Sequence, residues 1–276
     1  MSDRSQTKRA RASDLASPWF FFLLVLLLSI PFYALGLAGE RLPIATFLPV
    51  NALMAFVPML AALVLVYRES GSSGAMTFLT RAFDFRRIKG AGWVLAALLL
   101  MPIVFVLAYG VLRIEGRTLP DVHLFPIVEL AGFVLMFFVG AIGEELGWQG
   151  YAYAGVKNGR SALAAALILG AAWGLWHVIP FIEMGRSVDW TLWQCLGAIA
   201  MRIIIVWLFE NAGQSVFVAV LFHTMINSPW GVFTAFERYF DPFVMLVILA
   251  LVAVIVVALW GPSTLAHFRP AQKHKS

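Results

Sequence analysis

Charge is scarce in this chain of 276 residues: 13% are Asp, Glu, Lys or Arg, where an ordinary globular domain carries about 25%. With 61% hydrophobic residues and a mean hydropathy of +0.86, too little polar surface is left to keep a soluble fold of this length in water. That excludes a soluble globular protein and points to one membrane domain. Cysteine is nearly absent too. Cys195 stands alone, so no internal disulfide can form. It lies in an apolar run with no basic neighbour to favour thiolate, and reads as a small buried hydrophobe rather than a nucleophile. The alternating apolar–polar pattern of a membrane β-barrel is missing as well.

What is present is a series of continuous apolar runs. They cover Pro18–Gly36, Thr46–Tyr67, Ala91–Leu112, Leu124–Ile142, Ser161–Ile182, Trp190–Phe209, Ser215–Phe233 and Pro242–Trp260. Each is near the roughly 20 residues that cross about 30 Å of hydrocarbon as a helix. Helices pair their own backbone groups, as lipid demands. The expected fold class is therefore all-α, a polytopic membrane helical bundle of about eight transmembrane helices. Its expected divisions are a basic cytoplasmic tail (residues 1–17), a single transmembrane domain (18–261, with the chemistry in about 124–233) and a second basic tail (262–276). Pro18–Gly36 is longer than a signal-peptide core and has no clear cleavage site, so it is read as the first span.

The net charge of +5 does not mark a nucleic-acid binder, because the basic residues sit at the ends of apolar runs, where headgroups are met. Their distribution is lopsided. Fourteen Lys and Arg fall on the side of the N-terminal tail, Arg68–Lys89, Lys157–Arg160 and the C-terminal tail, against five on the other (Arg41, Arg113, Arg117, Arg186, Arg238). The positive-inside rule then puts both termini in the cytoplasm, and short loops without targeting extensions suit a bacterial cytoplasmic membrane. Within Ser70–Gly90, the spacing of Met76, Leu79, Ala82 and Phe83 beside Arg81, Arg86 and Arg87 fits an interfacial helix as well as it fits a basic loop.

Ionisable groups inside spans are costly and therefore invite a functional reading. They are Glu129, Glu144, Glu145, His177, Arg202 and His223; His123, His267 and His274 fall in loops or the tail. Glu144 and Glu145, in AIGEELGWQGYAY, either form the solvated end of span four or lie inside a longer helix. Adjacent helical residues point about 100° apart, so they face different environments. Glu145 and Gln149, four apart, could hydrogen-bond. His223 and Asn227 share one face of span seven, and His177 lies late in span five. Together Glu, His, His and Asn can supply a base, oxyanion donors and a proton for the leaving amine. The same imidazoles with a carboxylate could instead hold zinc; His177, His223 and Glu144 are the candidate ligands.

Three motifs in order, Glu144-Glu145-Leu146-Gly147-Trp148-Gln149, Trp173-Gly174-Leu175-Trp176-His177 and His223-Thr224-Met225-Ile226-Asn227, resemble the EExxxR, FxxxH and HxxxN motifs of the CPBP family of intramembrane proteases. That family includes CAAX prenyl endopeptidases and bacterial immunity proteins. The resemblance implies an intramembrane endopeptidase acting on a protein or peptide within the lipid bilayer, in which Glu144 activates water, Glu145 supports it, and His177, His223 and Asn227 stabilise the transition state or hold a divalent metal such as zinc. A catalytically silent scaffold or immunity protein of the same fold is the alternative, and a proton-coupled transporter a weaker one, since no internal repeat is seen. Two positions depart from the pattern. Trp173 exchanges one aromatic for another. Gln149 replaces the arginine, and Arg202, inside span six, is expected to reach Glu145 and restore the missing cation, or else to snorkel to the interface.

Overall fold

The computed structural model describes residues 18–42, 45–119, 126–232 and 240–266. Both outermost tails, His123, His267, His274 and Arg238 lie outside them. The chain begins with α1 (Pro18–Leu37) and a short antiparallel pair, β1 (Arg41–Leu42) with β2 (Ala45–Pro49). A 3₁₀ segment (Val50–Phe56) leads into α2 (Val57–Thr80), followed by α3 (Ala91–Ile114) and α4 (Ile127–Glu145). A π-helical stretch (Leu146–Ala152) joins α4 to α5 (Tyr153–Lys157), and α6 (Ala162–Trp176) and α7 (Val178–Glu183) come next. α8 (Val188–Asn211), α9 (Val216–Val232) and α10 (Pro242–Trp260) complete the bundle.

Seven helical segments among the described residues are long and apolar enough to cross a membrane, and α9 is a shorter apolar helix. This is the expected polytopic bundle, with two changes at its edges. The second span does not start at Thr46, because β2 and the 3₁₀ segment occupy residues 45–56. The fourth does not stop at Ile142, since α4, the π stretch and α5 run on to Lys157. Ser70–Gly90 is mainly helical rather than a plain loop. α2 breaks at Gly71, whose φ of 67° is open to glycine without strain, resumes to Thr80, and ends in 3₁₀ turns at Arg81–Phe83 and Phe85–Arg87.

α8 is the central helix, packed against α6, α10 and α9. Its approach to α6 depends on Gly170 and Gly174: a Cβ at Gly170 would lie 2.7 Å from the Ile199 Cα, and one at Gly174 2.9 Å from the Cys195 carbonyl oxygen. Gly143 and Gly147 do the same on α4 and the π stretch, where a Cβ would lie 2.4 Å from the backbone of Ala55 and of Pro58. Two small-xxx-small pairs thus bring backbones together where apolar burial alone gives lipid-immersed helices little reason to associate.

α9 is started from a distance. The Asp84 carboxylate, between the two 3₁₀ turns, accepts hydrogen bonds from Ser215 Oγ (2.7 Å) and from the backbone N–H groups of Val216 and Phe217 (both 3.2 Å). These are orphan donors of the first turn of α9, and a carboxylate there also complements the helix dipole. Gly213, at φ 75°, turns the chain against the Arg87 carbonyl and leaves no room for a side chain. At the C-terminal end the chain folds back after α10: Asn211 Nδ2 donates to the Leu265 carbonyl at 2.7 Å, and Leu265 is fully buried.

Candidate functional site

Glu144 and Glu145 are not a solvated helix end. Both are buried, at 6% and 0% exposure, near the middle of the Ile127–Lys157 helix. At about 1.5 Å rise per residue, Glu144 lies roughly 26 Å from one end and 20 Å from the other. Glu129, by contrast, is exposed in the first turn of α4, at one membrane edge.

The two carboxylates have different surroundings. Glu145 is wholly enclosed: Arg202 Nη1 donates to its Oε2 at 2.8 Å, and His223 Nδ1 lies 2.8 Å from its Oε1. The carboxylate can only accept, so His223 carries its hydrogen on Nδ1 and presents Nε2 on the other side. Arg202, also fully buried, lays its guanidinium over the Trp173 ring at 4.7 Å. This is the expected ion pair rather than a snorkelling arginine, and it supplies from α8 the cation that Gln149 does not. Gln149 itself is buried and makes no hydrogen bond among the described residues. The expected Glu145–Gln149 bond is therefore not formed, because both Glu145 oxygens are taken and the π stretch changes the winding between the two residues.

Glu144 faces an open space instead. Its Oε2 accepts a hydrogen bond from Trp173 Nε1 at 2.6 Å, while Oε1 stands 3.9 Å from His223 Nε2. Trp173 is thus no simple stand-in for phenylalanine: its indole N–H fixes Glu144, and its ring covers Arg202. His177 ends α6, with Nδ1 2.8 Å from the Trp173 carbonyl. A carbonyl also only accepts, so the remaining lone pair is on Nε2. The His177 ring sits edge-on to Trp173 and Trp176 and stacks on Phe181. Trp176 in turn donates to Ser29 Oγ of α1 at 2.8 Å.

Glu144, His177, His223 and Asn227 all line one cleft of about 410 Å³. The rest of its wall is largely apolar, including Phe137, Trp176, Phe181, Trp190 and Met201. The site thus gathers four of the five expected residues around one space and sets Glu145 behind them. Among the described residues no three His, Cys, Asp or Glu side chains are arranged to hold a metal. The two supports missed in the sequence were Asp84, which fixes α9, and the paired glycines. The Gly143-x-x-x-Gly147 and Gly170-x-x-x-Gly174 spacings were the available signal for the second.

The same region carries the likeness to known proteins. A family model described as type II CAAX prenyl endopeptidase Rce1-like matches residues 126–229. A curated protein of Methanococcus maripaludis named CAAX prenyl protease 2 is 25% identical over 183 residues, covering 62% of this chain and 67% of that protein. The matched stretch runs from the start of α4 into α9 and contains every residue of the cleft motifs. Over this stretch the chain is similar to CAAX prenyl endopeptidases, in keeping with the resemblance of its three motifs to those of the CPBP membrane proteases.

Proposed function

We propose that this protease hydrolyses peptide bonds in the cleft with Glu144 as general base. The observation that carries the reading is the pairing of Glu144 Oε1 with His223 Nε2 across 3.9 Å at the wall of a single cleft. Two acceptors at that separation are too far apart to bond directly, yet one water at about 2.8 Å can donate a hydrogen bond to each. Glu144 takes the water's proton as its oxygen attacks the substrate carbonyl carbon, and returns that proton to the leaving amine. Asn227 donates its amide N–H to the developing oxyanion, and neutral His177 lines the same wall of the cleft. Glu145 and Arg202 act through His223, fixing its tautomer and ring plane. These proton transfers need no metal; were a divalent metal held here, the donors open to it would be Glu144 Oε1, His223 Nε2 and His177 Nε2, since the hydrogen bonds of these side chains engage their other atoms.

In this reading both termini face the cytoplasm of a bacterial cell, as the fourteen-to-five distribution of Lys and Arg argues. The relative's name couples it to prenylated CAAX substrates; for this chain the proposal is limited to a polypeptide reached at the membrane. The purified protein in detergent is expected to cleave members of an apolar peptide library equally well with and without a chelator. Absence of cleavage would contradict the reading, and loss of cleavage on chelation would contradict its metal-free chemistry.

A further inference from the structure

A second recess lies apart from the cleft and shares no lining residue with it. Its walls come from places where spans start or stop. Arg81 is near the end of the Val50–Phe83 span, Lys157 ends the Ile127–Lys157 span, Phe209 is in the last turn of α8, and Pro18 begins α1. Helix ends of this kind stand at the headgroup level of a bilayer. Arg81, Arg87 and Lys157 line the recess against one carboxylate, Glu69, which accepts a hydrogen bond from the Tyr151 hydroxyl at 3.0 Å. Lys157 is answered by Glu210, which also accepts from the Tyr153 hydroxyl at 2.5 Å. The two arginines are not answered in this way. Arg81 has no carboxylate partner among the described residues; its Nη1 donates to the Gly150 carbonyl at 2.5 Å in the π stretch, and its buried Nε has no acceptor there. Arg87 reaches only Asp84, at 3.9 Å, and both oxygens of that carboxylate are engaged in capping α9. Gln149, buried in the same wall, leaves its amide without a partner among the described residues. Buried donors of this kind call for an acceptor.

We infer that this recess binds the phosphate of an anionic phospholipid, held by the guanidinium groups of Arg81 and Arg87. A guanidinium fork matches two phosphate oxygens at once, which an ammonium does not. Basic pockets between span ends suit anionic headgroups for the same reason. The setting favours a lipid over a free anion. Acyl chains hanging from a headgroup here have an apolar path along α1, which begins in the recess wall at Pro18 and turns Leu23, Leu26 and Leu27 outward. The chain's own N-terminal tail has the wrong sign to fill the recess, since residues 1–17 carry four Lys or Arg and two Asp. Through Arg81 a bound phosphate is tied to the Gly150 carbonyl, so occupancy steadies the π stretch that follows Glu145. Nothing in this site depends on the proteolytic reading.

The test is thermal unfolding of the full chain, purified in a neutral detergent and stripped of lipid. Short-chain phosphatidylglycerol, short-chain phosphatidylcholine or inorganic phosphate is then added. Phosphatidylglycerol is expected to raise the unfolding temperature in a saturable way, as a ligand of the folded state does, and the other two to leave it unchanged. Arg87→Gln alters an exposed side chain, so the variant should fold. It is expected to raise the half-saturating concentration of phosphatidylglycerol at least about 10-fold, as loss of a charged hydrogen bond implies. Arg113→Gln removes an exposed cation at the far end of α3 and is expected to leave that concentration unchanged. An equal shift with phosphatidylcholine overturns the inference, because headgroup charge then does not matter. An equal shift with inorganic phosphate overturns it in favour of a free anion. Wild-type binding by Arg87→Gln, an equal loss in Arg113→Gln, or no shift with any of the three additions overturns it as well.

Discussion

α1 and α8 are both apolar enough to cross a membrane, yet only 17% of the apolar window of α1 is buried in the bundle, against 61% for α8. α1 keeps a single stripe inward, Phe21, Val25 and Ser29, and turns Leu23, Leu26, Leu27 and Ile30 to the lipid. α8 is enclosed on nearly every side from Gly197 to Phe209 and holds a charged arginine in the middle. Hydropathy alone does not separate the two, because lipid and protein interior are equally apolar. What separates them is the need to satisfy polar groups: a helix with a buried guanidinium must be surrounded by protein that answers it, whereas a helix of leucines is at rest in lipid.

If that contrast is right, substitutions in the two helices should differ sharply. Arg202→Gln leaves Glu145 as a buried charge without its cation, and a loss of about 3–5 kcal/mol is expected, read as a large fall in unfolding temperature in detergent. Adding Glu145→Gln should recover most of the loss, because the orphaned charge goes with its partner; a double variant no better than the single one would break the comparison. Gly170→Leu drives a side chain into the backbone of α8 at Ile199 and is expected to destabilise by about 1–3 kcal/mol or more, with loss of the Arg202–Trp173 contact. In α1, Leu26→Ala removes only lipid contact, and a change within about 0.5 kcal/mol is expected. A large effect there would mean that α1 faces protein, not lipid.

The legible part of this molecule was the part governed by single-element rules. Runs of apolar residues mark the helices, and the four-residue spacing of His223 and Asn227 places them on one helical face without any tertiary contact. The three motifs gave the residues of the cleft, and the membrane cost of an unpaired arginine gave the Arg202–Glu145 pair. What stayed hidden depended on contacts between distant segments. Asp84 caps α9 from 131 residues away, and nothing local distinguishes it from another loop carboxylate. Trp173 reads as an aromatic filler until its N–H is seen on Glu144. The extension of α4 beyond Ile142 was obscured because polar Glu144, Glu145 and Gln149 mimic a helix end, although tertiary partners bury all three.

In the proposed reaction adjacent glutamates divide the labour, Glu144 for chemistry and Glu145 for holding His223. The most direct measurement is kcat/KM for peptide cleavage, taken with unfolding temperature, for Glu144→Gln and Glu145→Gln side by side. Glu144→Gln keeps an acceptor for the Trp173 N–H and should unfold near the wild-type temperature, while kcat/KM falls by the roughly 10²–10⁴-fold ascribed to a general base. Glu145→Gln strips Arg202 of its counter-charge and should lower the unfolding temperature markedly. A Glu144→Gln protein that cleaves at the wild-type rate, or a stable Glu145→Gln protein that alone is inactive, would contradict the assignment.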